Sequence, residues 1–301
     1  MKNVVKKNQK IPYLFLLMLF CCLMASAQSG ITVRGTVFDN NGETVIGASV
    51  VLKGNYYNGT IEFAPNLPWK GVIPLAAMFE ERLGIPTALT NDANAAAIGE
   101  MTYGAARGMK DFIMITLGTG VGSGIVINGQ MVYGHDGFAG ELGHTIIRRE
   151  NGRICGCGRH GCLETYCSAT GVARTAREFL TARTEPSLLR SIPAEEITSK
   201  DVYDAAVQGD KLAQDIFDFT GTILGEALAD FIAFSSPEAI ILFGGLAKSG
   251  DYILKPIQKA IDDNILTIYK GKTKLMVSEL KDSDAAVLGA SALGWELKGL
   301  E

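Results

Sequence analysis

Residues 141–164 read ELGHTIIRRENGRICGCGRHGCLE. Three of the chain's six cysteines, Cys155, Cys157 and Cys162, fall in this stretch, and His144 lies just upstream. Thiolate and imidazole at such spacing suit a tetrahedral Zn²⁺ site. Gly156, Gly158 and Gly161 allow turns tight enough to aim three sulfurs at one point. The expected ligands are His144, Cys155, Cys157 and Cys162. His160, inside the loop, and Cys167, after what reads as the start of a helix, are held in reserve. Two other readings compete. Free cysteines often pack as small buried hydrophobes, and a disulfide is conceivable, although Cys155 and Cys157 are too close for easy mutual pairing. Two carboxylates, Glu141 and Glu164, bracket the cluster. A metal-clamped loop flanked by acids is a device for holding acids still around a ligand.

Working outward, the 301 residues suffice for one large domain or two ordinary ones. A net charge of −4 presents no basic face to nucleic acid. The first residues follow another pattern. Lys2, Lys6, Lys7 and Lys10 precede an apolar run over 11–24, then Ala25-Ser26-Ala27. Basic, apolar and small segments in that order predict a secretory signal peptide over 1–27, cleaved after Ala27. The apolar run is shorter than the about 20 residues of a membrane span, so no stable span is expected after cleavage. Residues 31–53 alternate around Asp39-Asn40-Asn41-Gly42, a hairpin turn signal, and form a short β segment over 28–54.

From residue 55 the texture becomes α/β. The spacing predicts a helix over 74–83 closed by Gly84, a strand over 85–90, and a helix over 93–106 with Asp92 as N-cap. A strand over 111–117 leads into a Gly118–Gly124 loop and a hairpin over 125–133 around Asn128-Gly129. Helices over 168–184, 200–208 and 210–234 follow. A strand over 239–243 then precedes a helix over 249–263, a strand over 275–280 and a closing helix over 283–298.

Asn91-Asp92 sits at a strand-to-helix junction, where ligands of α/β folds collect. Asp92 there is either a helix cap alone or a base that takes a proton from an attacking hydroxyl. Gly118-Thr119-Gly120-Val121-Gly122-Ser123-Gly124 is either a tight hairpin turn or a phosphate cradle of backbone N–H groups. No Lys-Ser/Thr follows, so it is not a Walker loop, and a strand rather than a helix follows, so it is not a Rossmann fingerprint. Gly244-Gly245 is a second place where backbone can approach a nucleotide.

Taken in order, Asn91-Asp-Ala-Asn-Ala-Ala-Ala97, Leu117-Gly-Thr-Gly-Val-Gly-Ser-Gly124, Glu141-Leu-Gly-His144 and Cys155-Gly-Cys-Gly-Arg-His-Gly-Cys-Leu-Glu164 resemble the ROK family of sugar kinases and repressors, in its glucokinase-like branch. The resemblance covers residues 55–301. It implies an actin-like, two-lobed kinase fold, here with an N-terminal remnant over 55–115 and a C-terminal lobe over 116–301 onto whose partner lobe the closing helix returns. It also implies phosphorylation of a hexose, glucose to glucose 6-phosphate, with ATP and Mg²⁺ as cofactors and a structural Zn²⁺. Asp92 would be the general base. Asn91, Glu141, His144 and Glu164 would bind the sugar hydroxyls. Gly118, Thr119 and Gly120 would face the phosphates, and Gly244 and Gly245 the adenosine. The family also implies a homodimer and a cytoplasmic location, which the signal peptide opposes.

The family's Asp-x-Gly-Gly-Thr phosphate loop is absent, so the N-terminal lobe is expected to be incomplete and the activity impaired. Residues 1–54 resemble instead the leader and opening of the carboxypeptidase-regulatory-like domain of TonB-dependent receptors. Two alternatives follow: a non-catalytic zinc-containing sugar-binding protein, and an exported fusion with a receptor-like leader.

Overall fold

The computed structural model describes residues 53–63, 71–84, 87–281 and 285–298. The signal peptide and nearly all of the β segment expected before residue 55 lie outside the described residues. Strands β1 (Lys53–Asn55) and β2 (Thr60–Phe63) form a two-stranded antiparallel ribbon. Helix α1 (Leu75–Leu83) stops at Gly84, whose φ of 67° is left-handed. The strand expected over 85–90 does not form among the described residues 87–90. Proline at 86 brings no N–H, and Thr87 donates its N–H to Glu80 Oε1 at 2.9 Å rather than to a neighbouring strand.

Helix α2 (Asp92–Tyr103) leads to β3 (Phe112–Leu117), β4 (Val121–Ile127) and the short β5 (Gln130–Met131). The β4–β5 turn has Asn128 at φ 54° and Gly129 at φ 76°, the positive pair that the Asn-Gly signal predicts. The cysteine loop comes next, then α3 (Glu164–Cys167), α4 (Ala169–Ala182), α5 (Ser199–Val207) and α6 (Lys211–Ser235). Strand β6 (Ala239–Phe243), helix α7 (Asp251–Asn264), strand β7 (Lys274–Val277) and helix α8 (Ala285–Lys298) complete the order.

The main sheet runs β5-β4-β3-β6-β7, with β3, β6 and β7 parallel and β4 and β5 antiparallel. Apolar runs in β3 and β6 are buried on both faces, as parallel strands require. Ile113, Ile115, Leu117, Ile240 and Leu242 join a core with Val172, Phe217, Leu228 and Ile257. The alternate residues Phe112, Met114, Ala239 and Ile241 join Ala96, Ala97 and Ala285. Helix α8 packs on α2 nearly backbone to backbone, because a Cβ at Gly289 would lie 1.5 Å from the Ala95 carbonyl oxygen. The division expected between residues 115 and 116 falls inside β3, which is hydrogen-bonded to a neighbour on each side.

Two sequence expectations change here in ways that shape the site. The cap of α2 is Asn91, whose Oδ1 accepts the Asn94 N–H at 2.7 Å, and Asp92 is the first helical residue. Only Gly118–Gly120 form a turn, whereas Val121–Gly124 lie in β4. Gly122 and Gly124 belong to the strand because α2 presses on it: a Cβ at either would meet the Cβ of Ala93 or Ala97 at 3.0 or 2.6 Å.

Candidate functional site

His144, Cys155, Cys157 and Cys162 converge, with one ligand atom from each lying within 4.8 Å of all the others. His144 Nδ1 is 3.6 Å from Cys155 Sγ, and Cys157 Sγ is 3.7 Å from Cys162 Sγ. A tetrahedron with Zn–S bonds of about 2.3 Å has sulfur–sulfur edges of about 3.8 Å, so the donor set fits zinc in type and spacing. His160 and Cys167 stay outside this group. Cys167 is buried, donates to the Thr220 carbonyl at 3.7 Å, and has its pKa pushed up by burial, which suits an inert core thiol. Gly158 and Gly161 take the positive φ values of 86° and 77° that the tight loop uses, and Gly156 does not.

Within the cluster the thiols lean in opposite directions. Burial pushes Cys155 up to about 12. At Cys157 burial also raises the pKa, but hydrogen bonds from the Arg159 backbone and side chain outweigh it and bring the value down to about 7. Burial raises Cys162. A coordinated dication would hold all three as thiolates.

The loop carrying Glu141 and His144 is fastened to β4. Ser123 Oγ donates to the Gly140 carbonyl and accepts the Leu142 N–H at 3.2 Å. Gly143 lies flat on the strand, where a Cβ would come within 1.9 Å of the Val121 carbonyl oxygen, so any side chain at 143 would lift the loop. His144 turns Nδ1 toward the cysteines and Nε2 toward Glu141, whose Oε2 is 3.9 Å away.

Glu164, the first residue of α3, is a junction. Its Oε2 accepts the Val121 N–H at 3.1 Å, and its Oε1 is 3.7 Å from Cys155 Sγ. Gly120 lets this carboxylate reach the hairpin, since a Cβ there would lie 2.3 Å from Oε2. The start of α2 reaches the same strand through Ala93 against Gly122, which brings Asp92 to this end of the sheet. Asp92 Oδ1 accepts the Ala93 N–H at 3.0 Å.

Gly118-Thr119-Gly120 closes β3 onto β4. The Gly118 N–H is spent on the Gly120 carbonyl at 3.1 Å. The Gly118 and Thr119 carbonyls accept from Ala169 N–H and Thr170 Oγ1, each at 2.8 Å, which pins the turn to the start of α4. Gly244, at φ 103°, abuts the Leu117 carbonyl oxygen. Since β3 and β6 are parallel and Thr116 pairs with Phe243, both glycine segments leave the sheet at one edge, at the carboxyl ends of adjacent strands.

Two residues of this assembly escape a sequence reading. Ser123 hides among glycines. Arg153 reads as one more surface charge beside Arg148 and Arg149, yet it is buried, and nothing in its local sequence marks it. No helix of the described residues is long and apolar enough to cross a membrane.

The sequence pattern of the ROK family matches residues 30–296, beginning inside the segment read as a receptor-like β fragment. Glucokinase from Halalkalibacterium halodurans is 41% identical over 244 residues, covering 81% of this chain and 72% of that protein. The crystal structure of a ROK family glucokinase from Streptomyces griseus in complex with glucose and AMPPNP superposes with a TM-score of 0.71 at 35% identity, over 81% of this chain and 78% of the other. A ROK family transcriptional regulator, a homologue of the E. coli MLC protein, gives a TM-score of 0.73 at 30% identity over 81% of this chain, which spans only 60% of the regulator. The order of motifs, the two-faced sheet and these matches agree: the chain belongs to the ROK family, on its sugar-kinase, glucokinase-like side.

Proposed function

We propose that this chain transfers the terminal phosphoryl group of ATP to a hexose, glucose foremost, giving glucose 6-phosphate. The observation that carries the reading is the convergence of three elements on the start of β4. These are the α2 terminus bearing Asp92, the loop bearing Glu141 and His144, and Glu164 with its bond to the hairpin. Asp92 is assigned as the general base that takes the proton of the sugar hydroxyl as it attacks phosphorus. Asn91, Glu141, His144 and Glu164 are assigned to the sugar hydroxyls. Asn91 spends its Oδ1 on the cap and offers its amide nitrogen. His144 would hold zinc through Nδ1 and present Nε2 on the side of Glu141, a tautomer that the metal sets.

On the nucleotide side, Thr119 and Gly120 offer backbone N–H donors to phosphate, and Gly244 and Gly245 line the approach of the adenosine. Gly118 shapes the turn instead of donating, its N–H being engaged. Mg²⁺ would accompany ATP. Zn²⁺ held by His144, Cys155, Cys157 and Cys162 would keep the sugar wall in place and take no part in the chemistry.

No Asp-x-Gly-Gly-Thr loop occurs in the sequence, and reduced turnover is part of this reading. The two lobes are read as residues 55–115 and 116–301, a boundary that lies within β3. ATP and free thiolates call for a reducing compartment, so the cytoplasm is favoured over export; fractionation of the cells that make the chain tests this. A coupled glucose-phosphorylation assay with MgATP tests the activity. Turnover that Asp92→Asn leaves untouched would overturn the assignment.

A second reading is a zinc-containing sugar-binding protein without catalysis; the chain is also similar to a transcriptional regulator. Calorimetry separates the two, since glucose binding with no nucleotide binding supports the second.

A further inference from the structure

Arg153 lies two residues before the first cysteine of the cluster, and its side chain is only 6% exposed. Nη1 donates to the carbonyls of Thr165 at 2.8 Å and Gly171 at 3.4 Å. Nη2 donates to Thr175 Oγ1 at 2.9 Å and to Glu178 Oε2 at 2.5 Å. The guanidinium carbon sits 4.4 Å from the centre of the Tyr166 ring and 6.0 Å from that of Phe219. The backbone of the same residue is equally engaged. Its N–H donates to Tyr166 Oη at 3.1 Å, and its carbonyl accepts the Gly161 N–H at 2.8 Å. Arg174 adds a second tie, from Nε to Glu178 Oε1 at 3.0 Å.

These contacts join three things. One is the cysteine loop, through Arg153 itself and Gly161. Another is the short α3, through Thr165 and Tyr166. The third is α4, through Gly171, Thr175 and Glu178. Thr165 follows Glu164 directly, and its Oγ1 donates to the Cys162 carbonyl at 2.8 Å. Helix α3 is a single turn whose N-terminus has no side-chain cap. Its orientation, and with it that of the Glu164 carboxylate, therefore rests on what grips it from outside. A planar guanidinium with five donors can grip two carbonyls, a hydroxyl and a carboxylate at once, which an ammonium cannot.

We propose that Arg153 is a positioning residue for the sugar wall: a bolt, distinct from the metal, that seats α3 so that Glu164 reaches both the Val121 N–H and the sugar. It rests on the proposed function only for its link to the sugar. The mechanical part stands on the contacts alone. Zinc held by His144 and the cysteines would tie together the tips of the loop. Arg153 ties the base of the same loop to α4. Metal and guanidinium would thus fasten the loop at different places, and loosening the base would free the tips to lose metal.

Three measurements on Arg153→Met, Arg153→Lys and Glu178→Gln test it: amide hydrogen exchange over 153–171, the rate of zinc transfer to a chromophoric chelator, and KM and kcat for glucose with MgATP. For Arg153→Met, exchange of the Leu163, Thr165, Tyr166 and Cys167 amides is expected to speed up. Zinc transfer should accelerate about tenfold or more, as for other outer-shell supports of metal ligands. KM for glucose should rise while kcat changes far less. Lysine should recover only part of this, because it keeps the charge without the fork. Wild-type exchange, zinc transfer and KM in Arg153→Met would overturn the proposal, as would full recovery by lysine. Should Arg153→Met not fold, Glu178→Gln, at the half-exposed end of the network, is expected to move the same readouts in the same direction by less; no movement there overturns it. If the wild type fails to phosphorylate glucose, the functional reading fails alone, since exchange and zinc transfer still decide on the bolt.

Discussion

The cysteine loop and the glycine hairpin meet at Glu164, yet they are built on opposite principles. The loop is held by side chains: an imidazole, three thiols and a buried guanidinium, each with a partner at bonding distance. The hairpin is gripped through its own backbone groups, its carbonyls pinned to α4 and its Val121 N–H to Glu164, with glycines that let neighbours come close. In the proposed function one wall would offer functional groups to a polyol, and the other would offer backbone N–H groups to phosphate. A sugar has many hydroxyls to distinguish, so its wall needs specific side chains. A phosphate presents equivalent oxygens, and backbone dipoles serve for it.

The sharpest test of this comparison lies where the two walls meet. Asp92→Asn should lower kcat by roughly 10²–10⁴-fold, the usual worth of a general base, while calorimetry still finds glucose bound. Equal loss of glucose binding would make Asp92 part of the wall rather than the base between the walls.

Next in size is removal of a sulfur. Cys162 is fully buried, so Cys162→Ser should take metal content from about one per chain to near zero, read by elemental analysis. Glucose binding should fall with it and nucleotide binding should persist. Parallel loss of both would show that the walls are not separately supported.

Gly120→Ala probes the contact that they share at Glu164. The new methyl would meet Glu164 Oε2 at 2.3 Å. Steady-state kinetics should show KM rising about tenfold for glucose as well as for ATP, because the carboxylate must leave the Val121 N–H and small misplacements of such groups are costly. A change confined to ATP would break the claimed linkage.

The smallest effect belongs to a site away from both walls. Asp210 caps α6, with Oδ1 accepting the Ala213 N–H at 3.0 Å and Oδ2 accepting from Ser187 Oγ and the Leu188 N–H. Asp210→Ala should cost about 1 kcal/mol in thermal unfolding and leave both KM values alone. Burial raises the Asp210 carboxyl, but these hydrogen bonds outweigh it and hold its pKa below the usual value. A depressed folded pKa means stability that is present above the unfolded value of about 3.9 and lost as pH falls through the folded one. The gap between wild type and variant should therefore close on acidification below about pH 4.

The side-chain wall was legible in the sequence and the backbone wall was largely not. Cys155, Cys157, Cys162 and His144 announce themselves because sulfur and imidazole nitrogen carry their chemistry wherever they are placed. The strand at 239–243 and the Asn128-Gly129 turn were equally plain, since apolar runs and positive φ are local demands. Gly118–Gly124 misled, reading as one loop although four of its residues lie in β4. A glycine needed because α2 presses on a strand looks the same as a glycine needed for a turn. Asn91 rather than Asp92 caps α2, because both residue types cap well and only the backbone path chooses between them.

Residue identity and spacing carried the resemblance to the family, the four candidate metal donors and most of the order of the elements. They sufficed there because chemistry and periodicity are carried by single residues and short windows. Only the tertiary structure decided that Arg153 is buried, that Glu164 bonds Val121 across 43 residues of chain, and that Gly118 has no N–H to spare. Each of these depends on atoms from distant segments. Packing brings such segments together, and burial then obliges every polar atom to find a partner.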